Sequence, residues 1–204
     1  MKYFDDAADL IRSADLVVIC GDLGKGGDWK SAEDVLSRIE RYTGNIVGVH
    51  GNWDRREVCS LLEGRGYSLH GRGRIIGGIG FFGVGGSNQT PMNTASEYSE
   101  EEYNDLLTAG FRQIAGASAS VLVSHAPPHR LRDRTFIGIR GGSRAIRAFI
   151  EQNRVDLCLA GHIHEAYGVE RFNDCLVANS GSFKKGRYSL IDMGSPITVD
   201  QGRL

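Results

Sequence analysis

The chain has 204 residues, 41% of them hydrophobic, and a formal net charge of −1, which is enough for one well-cored domain over residues 1–204 and gives no electrostatic case for gripping duplex nucleic acid. No apolar run approaches the roughly 20 residues that span a bilayer, and no basic segment followed by an apolar one opens the chain, so neither anchor nor signal peptide is expected and the predicted compartment is the cytoplasm. Cys20, Cys59, Cys158 and Cys175 are scattered without any C-x-x-C spacing, which favours free thiols over a disulfide framework or a zinc knuckle.

In chain order, Phe4, Ala7, Ala8 and Ile11 fall at helical spacing, and the run from Leu16 to Cys20 reads as a buried strand that stops at Gly21-Asp22. The glycine-rich stretch 24–27 is a loop but not a phosphate-cradling P-loop, because the G-x-x-x-x-G-K-[ST] pattern is missing. Lys25 and Trp29 stand in and just after it. Ser31 with Asp34 is expected to open a helix whose apolar face is Ala32, Val35, Leu36 and Ile39. Residues 46–50 read as a second strand, which runs into Gly51-Asn52-Trp53-Asp54, and Val58, Leu61 and Leu62 mark a short helix ending at Gly64. Residues 75–84 read as a glycine-turned hairpin, residues 85–96 as a long loop, and Ser99 with Glu102 as the capping box of the next helix.

The second half repeats the alternation. A strand at 121–124 ends in His125-Ala126-Pro127-Pro128, an irregular stretch carries Arg130, Arg132, Arg134 and Arg140, and Ile146, Phe149 and Ile150 mark a helix. A strand at 157–160 then ends in Gly161-His162-Ile163-His164-Glu165, and residues 175–178 and 187–191 read as further strands. Alternation of this kind implies a layered α/β domain, in which ligands gather at the carboxyl ends of the strands. Asp22, Asn52, His125, His162 and His164 all stand there, and carboxylate, amide and imidazole together suit a transition metal. His162 and His164, two apart in what reads as an extended segment, are expected to point the same way. His50, His70 and His129 lack such support and read as structural or solvated, and the arginines as solvated or surface ion-paired groups.

Taken in this order, GD, GN-x-D, SHAPP and GHIHE resemble the calcineurin-like metallophosphoesterase superfamily, most closely its small archaeal and bacterial Icc-related phosphoesterases. The resemblance covers nearly the whole chain, up to Asn179-Ser180-Gly181-Ser182. It implies a four-layer α/β/β/α sandwich of two mixed sheets and hydrolysis of a small phosphodiester or phosphomonoester, such as a nucleotide, at two divalent metal ions. Manganese is the expected metal, with iron, zinc or nickel as alternatives. Asp22 would bridge the ions, Asn52, His125 and His162 would complete one, and His164 would belong to the other. Asn52 would also donate to a phosphate oxygen, and Asp54 would orient a catalytic neighbour or stabilise the turn.

Two departures touch the active centre. Family members open with a strand ending in Asp-x-His, which supplies two ligands, and this sequence contains no Asp-x-His. Trp53 occupies the GN-x-D position where many members carry a general-acid histidine, and indole has no proton to give at useful pH. The expectations that follow are one bound ion rather than two, and a first strand missing from its place. Either an upstream segment of about 10 residues or a homodimer along the exposed edge would fill that place. The alternative activity is that of a degenerate or truncated member, which binds one metal and serves as scaffold or sensor.

Overall fold

The computed structural model describes residues 3–204; Met1 and Lys2, where the reading of the chain start begins, lie outside the described residues. In chain order the elements are α1 (Ala8–Ser13), β1 (Val17–Cys20), α2 (Trp29–Glu40), β2 (Ile46–Val49), α3 (Arg56–Gly64), β3 (Gly73–Ile76), β4 (Ile79–Val84), β5 (Ser87–Asn88), β6 (Glu97–Tyr98), α4 (Glu100–Arg112), β7 (Ala119–Ser124), α5 (Arg144–Gln152), β8 (Leu157–Ala160), β9 (Gly168–Phe172), β10 (Cys175–Asn179), β11 (Arg187–Asp192) and β12 (Thr198–Arg203). Among the described residues no helix is long and apolar enough to cross a membrane.

The six-stranded sheet runs β3-β4-β7-β8-β10-β9, parallel at its centre and antiparallel at both edges, which makes it mixed. Its central strands are apolar on both faces because both faces are covered. Phe82, Leu122 and Cys158 turn one way and pack on Tyr103 and Leu107 of α4 and on Ile146 and Phe149 of α5. Their neighbours Phe81, Val121 and Leu157 turn the other way, onto Val47 and Val49 of β2, Val18 of β1 and Ile191 of β11. The outer face of β1 carries Ile19, which meets Leu36 of α2 and Val58 and Leu62 of α3. The layers are therefore helix, sheet, sheet, helix, the sandwich that the resemblance implies.

The second sheet layer comes in two pieces among the described residues, the parallel pair β1–β2 and the antiparallel hairpin β11–β12. Between them a cavity of about 1440 Å³ runs along β1, walled by Phe81, Val121 and Leu157 on one side and reaching Ile191 and Met193.

Local details differ from the sequence reading at the start of α2 and in the loop after β4, while the glycine-turned hairpin is present as read. The cap of α2 is Asp28, whose side chain accepts the Ser31 N–H at 2.9 Å, because Asp28 leaves the loop extended and Ser31 already lies inside the first turn. The hairpin turns at Gly77 and Gly78, both with positive φ. The loop at 85–96 contains the two-residue strand β5, which pairs with β6 at its far end. The Ser99–Glu102 capping box is present as read, and all four cysteines are free.

Candidate metal centre

Two tight turns bring the strand ends together. After β1 the backbone passes through the left-handed region at Gly21 (φ 88°) and again at Asp22 (φ 55°), a conformation that aspartate tolerates better than most side chains. Asp22 Oδ1 accepts the Trp53 N–H at 3.1 Å, which joins the first turn to the one after β2. Gly51 has no room for a side chain, since a Cβ there would run into the Asp22 carboxylate and backbone. Asp54 fastens the two turns from beneath. It is fully buried and accepts the N–H groups of Gly51 at 2.8 Å, Leu23 at 3.3 Å and Gly24 at 3.4 Å. Burial pushes its pKa up, and the N–H groups of Gly51 and Leu23 pull against that push.

His125 lies at the centre of the cluster. Its Nδ1 is 2.6 Å from the Cys20 carbonyl oxygen, and a carbonyl can only accept, so Nδ1 carries a hydrogen and Nε2 presents a lone pair. Burial holds the ring neutral by lowering its pKa to about 4. The lone pair meets two more acceptors, Asn52 Oδ1 at 3.0 Å and Asp22 Oδ2 at 3.5 Å. The amide orientation is fixed by chemistry: Asn52 Nδ2 donates to Thr94 Oγ1 at 3.0 Å, and that hydroxyl gives its own hydrogen to Glu97 Oε1 at 2.6 Å. Three lone-pair groups thus converge with no proton between them. A cation fits that place.

The His162 ring lies 5.0 Å from the His125 ring between centroids, and burial lowers its pKa to about 3. The extended geometry expected for His162 and His164 is absent. His162 is left-handed (φ 60°) and His164 opens a single 3-10 turn, His164–Ala166, because the segment must reverse direction after β8. Burial raises the Asp22 pKa, and the Trp53 N–H it accepts, followed by smaller contributions from the nearby His162, His164 and Lys184, pulls against that rise. Among the described residues no group of three or more His, Cys, Asp or Glu side chains forms a ready cage for an ion. The Asn52 amide is what completes the convergence at His125.

Sequence reading did not single out four residues that shape this site. Asn179, buried at the end of β10, donates to the carbonyls of Gly161 at 3.0 Å and Ile163 at 2.9 Å and so holds the His162 turn; its signal was another apolar run ending in a polar side chain and glycine. Thr94 and Glu97 lie in an aperiodic loop, and Lys184 follows a strand end by several residues, so neither pattern nor spacing marks them. The remaining candidates have other partners. His50 Nε2 lies 3.1 Å from the Tyr98 hydroxyl and its ring stacks near His70. His129 faces Asp133, Arg140 pairs with Asp133 at 2.8 Å and Arg132 with Glu170 at 3.4 Å. Trp29 and Trp53 are partly exposed, and Trp53 borders the cavity beside Asp22.

The model of the calcineurin-like phosphoesterase family matches residues 1–166. The uncharacterized protein MJ1162 of Methanocaldococcus jannaschii is 34% identical over 172 residues, which cover 81% of this chain and 77% of that one. The crystal structure of TT1561 of Thermus thermophilus superposes with a TM-score of 0.74 at 17% identity, covering 99% of this chain and 92% of the other. The phosphopantetheinyl hydrolase of Mycobacterium tuberculosis does so with a TM-score of 0.64 at 13% identity, covering 85% and 83%. At these identities the two structural likenesses speak to the fold alone.

Proposed function

The chain belongs to the calcineurin-like phosphoesterase family, and from that premise we propose that it is a metal-dependent hydrolase of small phosphodiesters or phosphomonoesters, with manganese as the metal. The convergence of the His125 Nε2 lone pair, Asn52 Oδ1 and Asp22 Oδ2 carries this reading. Asp22, Asn52, His125 and His162 would hold one ion, and His164 with Asp22 would lend themselves to a second. A divalent ion so bound supplies a Lewis acid for the phosphoryl oxygens and acidifies water to a nucleophile near neutral pH.

The chain's own residues do the rest. The Cys20 carbonyl fixes the His125 tautomer, and Asp54 keeps the Asp22 and Asn52 turns in register. Of the two amide hydrogens on Asn52, one goes to Thr94, and the other is free for a phosphate oxygen. Trp53 cannot protonate a leaving group, so esters whose leaving groups need no proton are favoured.

Elemental analysis after dialysis against Mn²⁺ should find closer to one ion than two per chain, and Asn52→Ala and His125→Ala should lose it. Aryl phosphodiesters should be cleaved well before alkyl ones, with Trp53→His narrowing the gap. No bound ion in the parent, with both variants indistinguishable from it, would remove the basis of the proposal. A second reading, a one-ion scaffold or sensor, draws on the divided second sheet layer. It would be preferred if the ion binds and no phosphoester of either leaving-group class is turned over.

A further inference from the structure

The loop from β5 to β6 abuts the Asn52 turn. Glu97 accepts the backbone N–H of Thr90 at 3.0 Å and of Thr94 at 2.7 Å, and the hydroxyls of Thr90 and Thr94, both at 2.6 Å. The loop is pinned to the Asn52 turn by Ser96, whose N–H donates to the Asn52 carbonyl at 3.0 Å and whose hydroxyl donates to the Asp54 carbonyl at 2.7 Å. Thr94 is thereby fixed against the Asn52 side chain.

A primary amide has two nearly isosteric orientations, related by a half turn. In one, the Asn52 oxygen faces His125 Nε2 and Asp22; in the other, the NH₂ faces them. The second orientation would satisfy the His125 lone pair with an N–H donor and put hydrogens where a cation should bind. Thr94 decides between them. Its hydroxyl hydrogen is committed to a carboxylate, which has none of its own to give, so toward Asn52 the hydroxyl oxygen can only accept. Turning the amide over would set two acceptors face to face.

We infer that Thr94 and Glu97 form a positioning relay that holds the Asn52 amide with its oxygen toward the metal position and keeps the competing, self-satisfied orientation unpopulated. The inference rests on the metal reading above, but the relay also operates in the metal-free protein, where it is separately visible. Outer partners that orient a ligand typically change metal affinity about 10- to 100-fold when removed.

The experiment measures Mn²⁺ affinity by titration calorimetry in the parent, Thr94→Val, Thr94→Ser, Glu97→Gln, Asn52→Asp and the Asn52→Asp/Thr94→Val pair. In parallel, NMR locates the Asn52 side-chain amide protons in the metal-free proteins. Thr94→Val should weaken binding by about 10-fold or more, with the amide protons moving from the residue 94 side toward the His125 ring, while Thr94→Ser stays near the parent. Glu97→Gln should fall between, because an amide at that position can return a hydrogen to the Thr94 hydroxyl. A carboxylate at position 52 has no orientation to lose, so Thr94→Val should cost little in the Asn52→Asp background. Equal affinity for parent and Thr94→Val, or an undiminished Thr94→Val loss in the Asn52→Asp background, overturns the relay. An absent ion in the parent with the NMR result as expected overturns the metal reading and leaves the relay standing. Should Thr94→Val not fold, Glu97→Gln and Thr94→Ser carry the same comparison.

Discussion

Glu97 shows how a single carboxylate can fix a loop that has no hydrophobic periodicity of its own. Its four donors outweigh the partial burial that opposes them and pull its pKa from the ordinary 4.5 down to about 2. The sign of the resulting pH effect follows from proton counting: between pH 4.5 and about 2 the unfolded chain holds a proton on Glu97 that the folded chain does not. The stabilisation it contributes is therefore complete above pH 4.5 and is lost as the pH falls toward 2. Urea titrations in the absence of metal should find Glu97→Gln less stable than the parent at pH 7, with the difference shrinking steadily below pH 4.5. An equal difference at pH 7 and pH 3 would contradict the assignment. Nothing in the sequence around Glu97 announces this, because its partners are two threonines whose role depends on a turn rather than on a repeat.

At the scale of elements, the readable parts were those set by local chemistry. The apolar runs of β2, β7 and β8 identify themselves because both of their faces are buried, whereas β1, expected to be buried as well, is only half-buried along its length beside the cavity; α5 is legible because Ile146, Phe149 and Ile150 fall at helical spacing and pack into one core. Asp22, Asn52, His125 and His162 were picked out as candidates from the ends of those strands, and the structure brings His125 beside Asp22, Asn52 and His162. β9 and β12 were not, since Glu170 and Arg171 in one and Asp200 and Gln201 in the other interrupt any apolar pattern on half-exposed edge positions. The role of Asp54 was legible only in part. Sequence allowed either orienting a neighbour or stabilising the turn, and the three N–H groups it accepts from two different turns favour the latter. Asp54→Ala would strand buried donors at the junction of β1 and β2, and should destabilise the fold by on the order of 3 kcal/mol. Asp54→Asn, which keeps one carbonyl acceptor, should cost less. Denaturant midpoints of the two variants check the ordering, and a neutral Asp54→Ala would show that the turns hold without it.

The whole molecule is marked by the division of its second sheet layer. β1 pairs only with β2 and β11 only with β12 among the described residues, and the cavity of about 1440 Å³ lies along β1 with apolar side chains from both layers turned into it. Close-packed interiors do not keep apolar spaces of that size dry and empty without cost, and an unpaired strand edge beside one is a template for another strand. The Asp22 end of the cavity is also the end that carries the proposed metal ligands, since Asp22, His162 and His164 border it. A strand laid there would cover apolar surface, pair with the free edge of β1 and deliver its last side chains to the site. Adding about 10 residues at the N-terminus, enough for one strand and a short turn, with alternating apolar positions and a terminal Asp-x-His-Gly, should raise the melting temperature. If the proposed function holds, the same addition should increase bound Mn²⁺ from about one ion toward two and raise the rate of phosphoester hydrolysis by orders of magnitude. The 204-residue chain should bind a hydrophobic dye that the extended one excludes, and should show more self-association in sedimentation if the edge of β1 pairs with a second copy instead. An extended protein with unchanged melting temperature, dye binding and ion count would mean that the cavity does not accept a strand, and would turn the balance toward the one-ion scaffold.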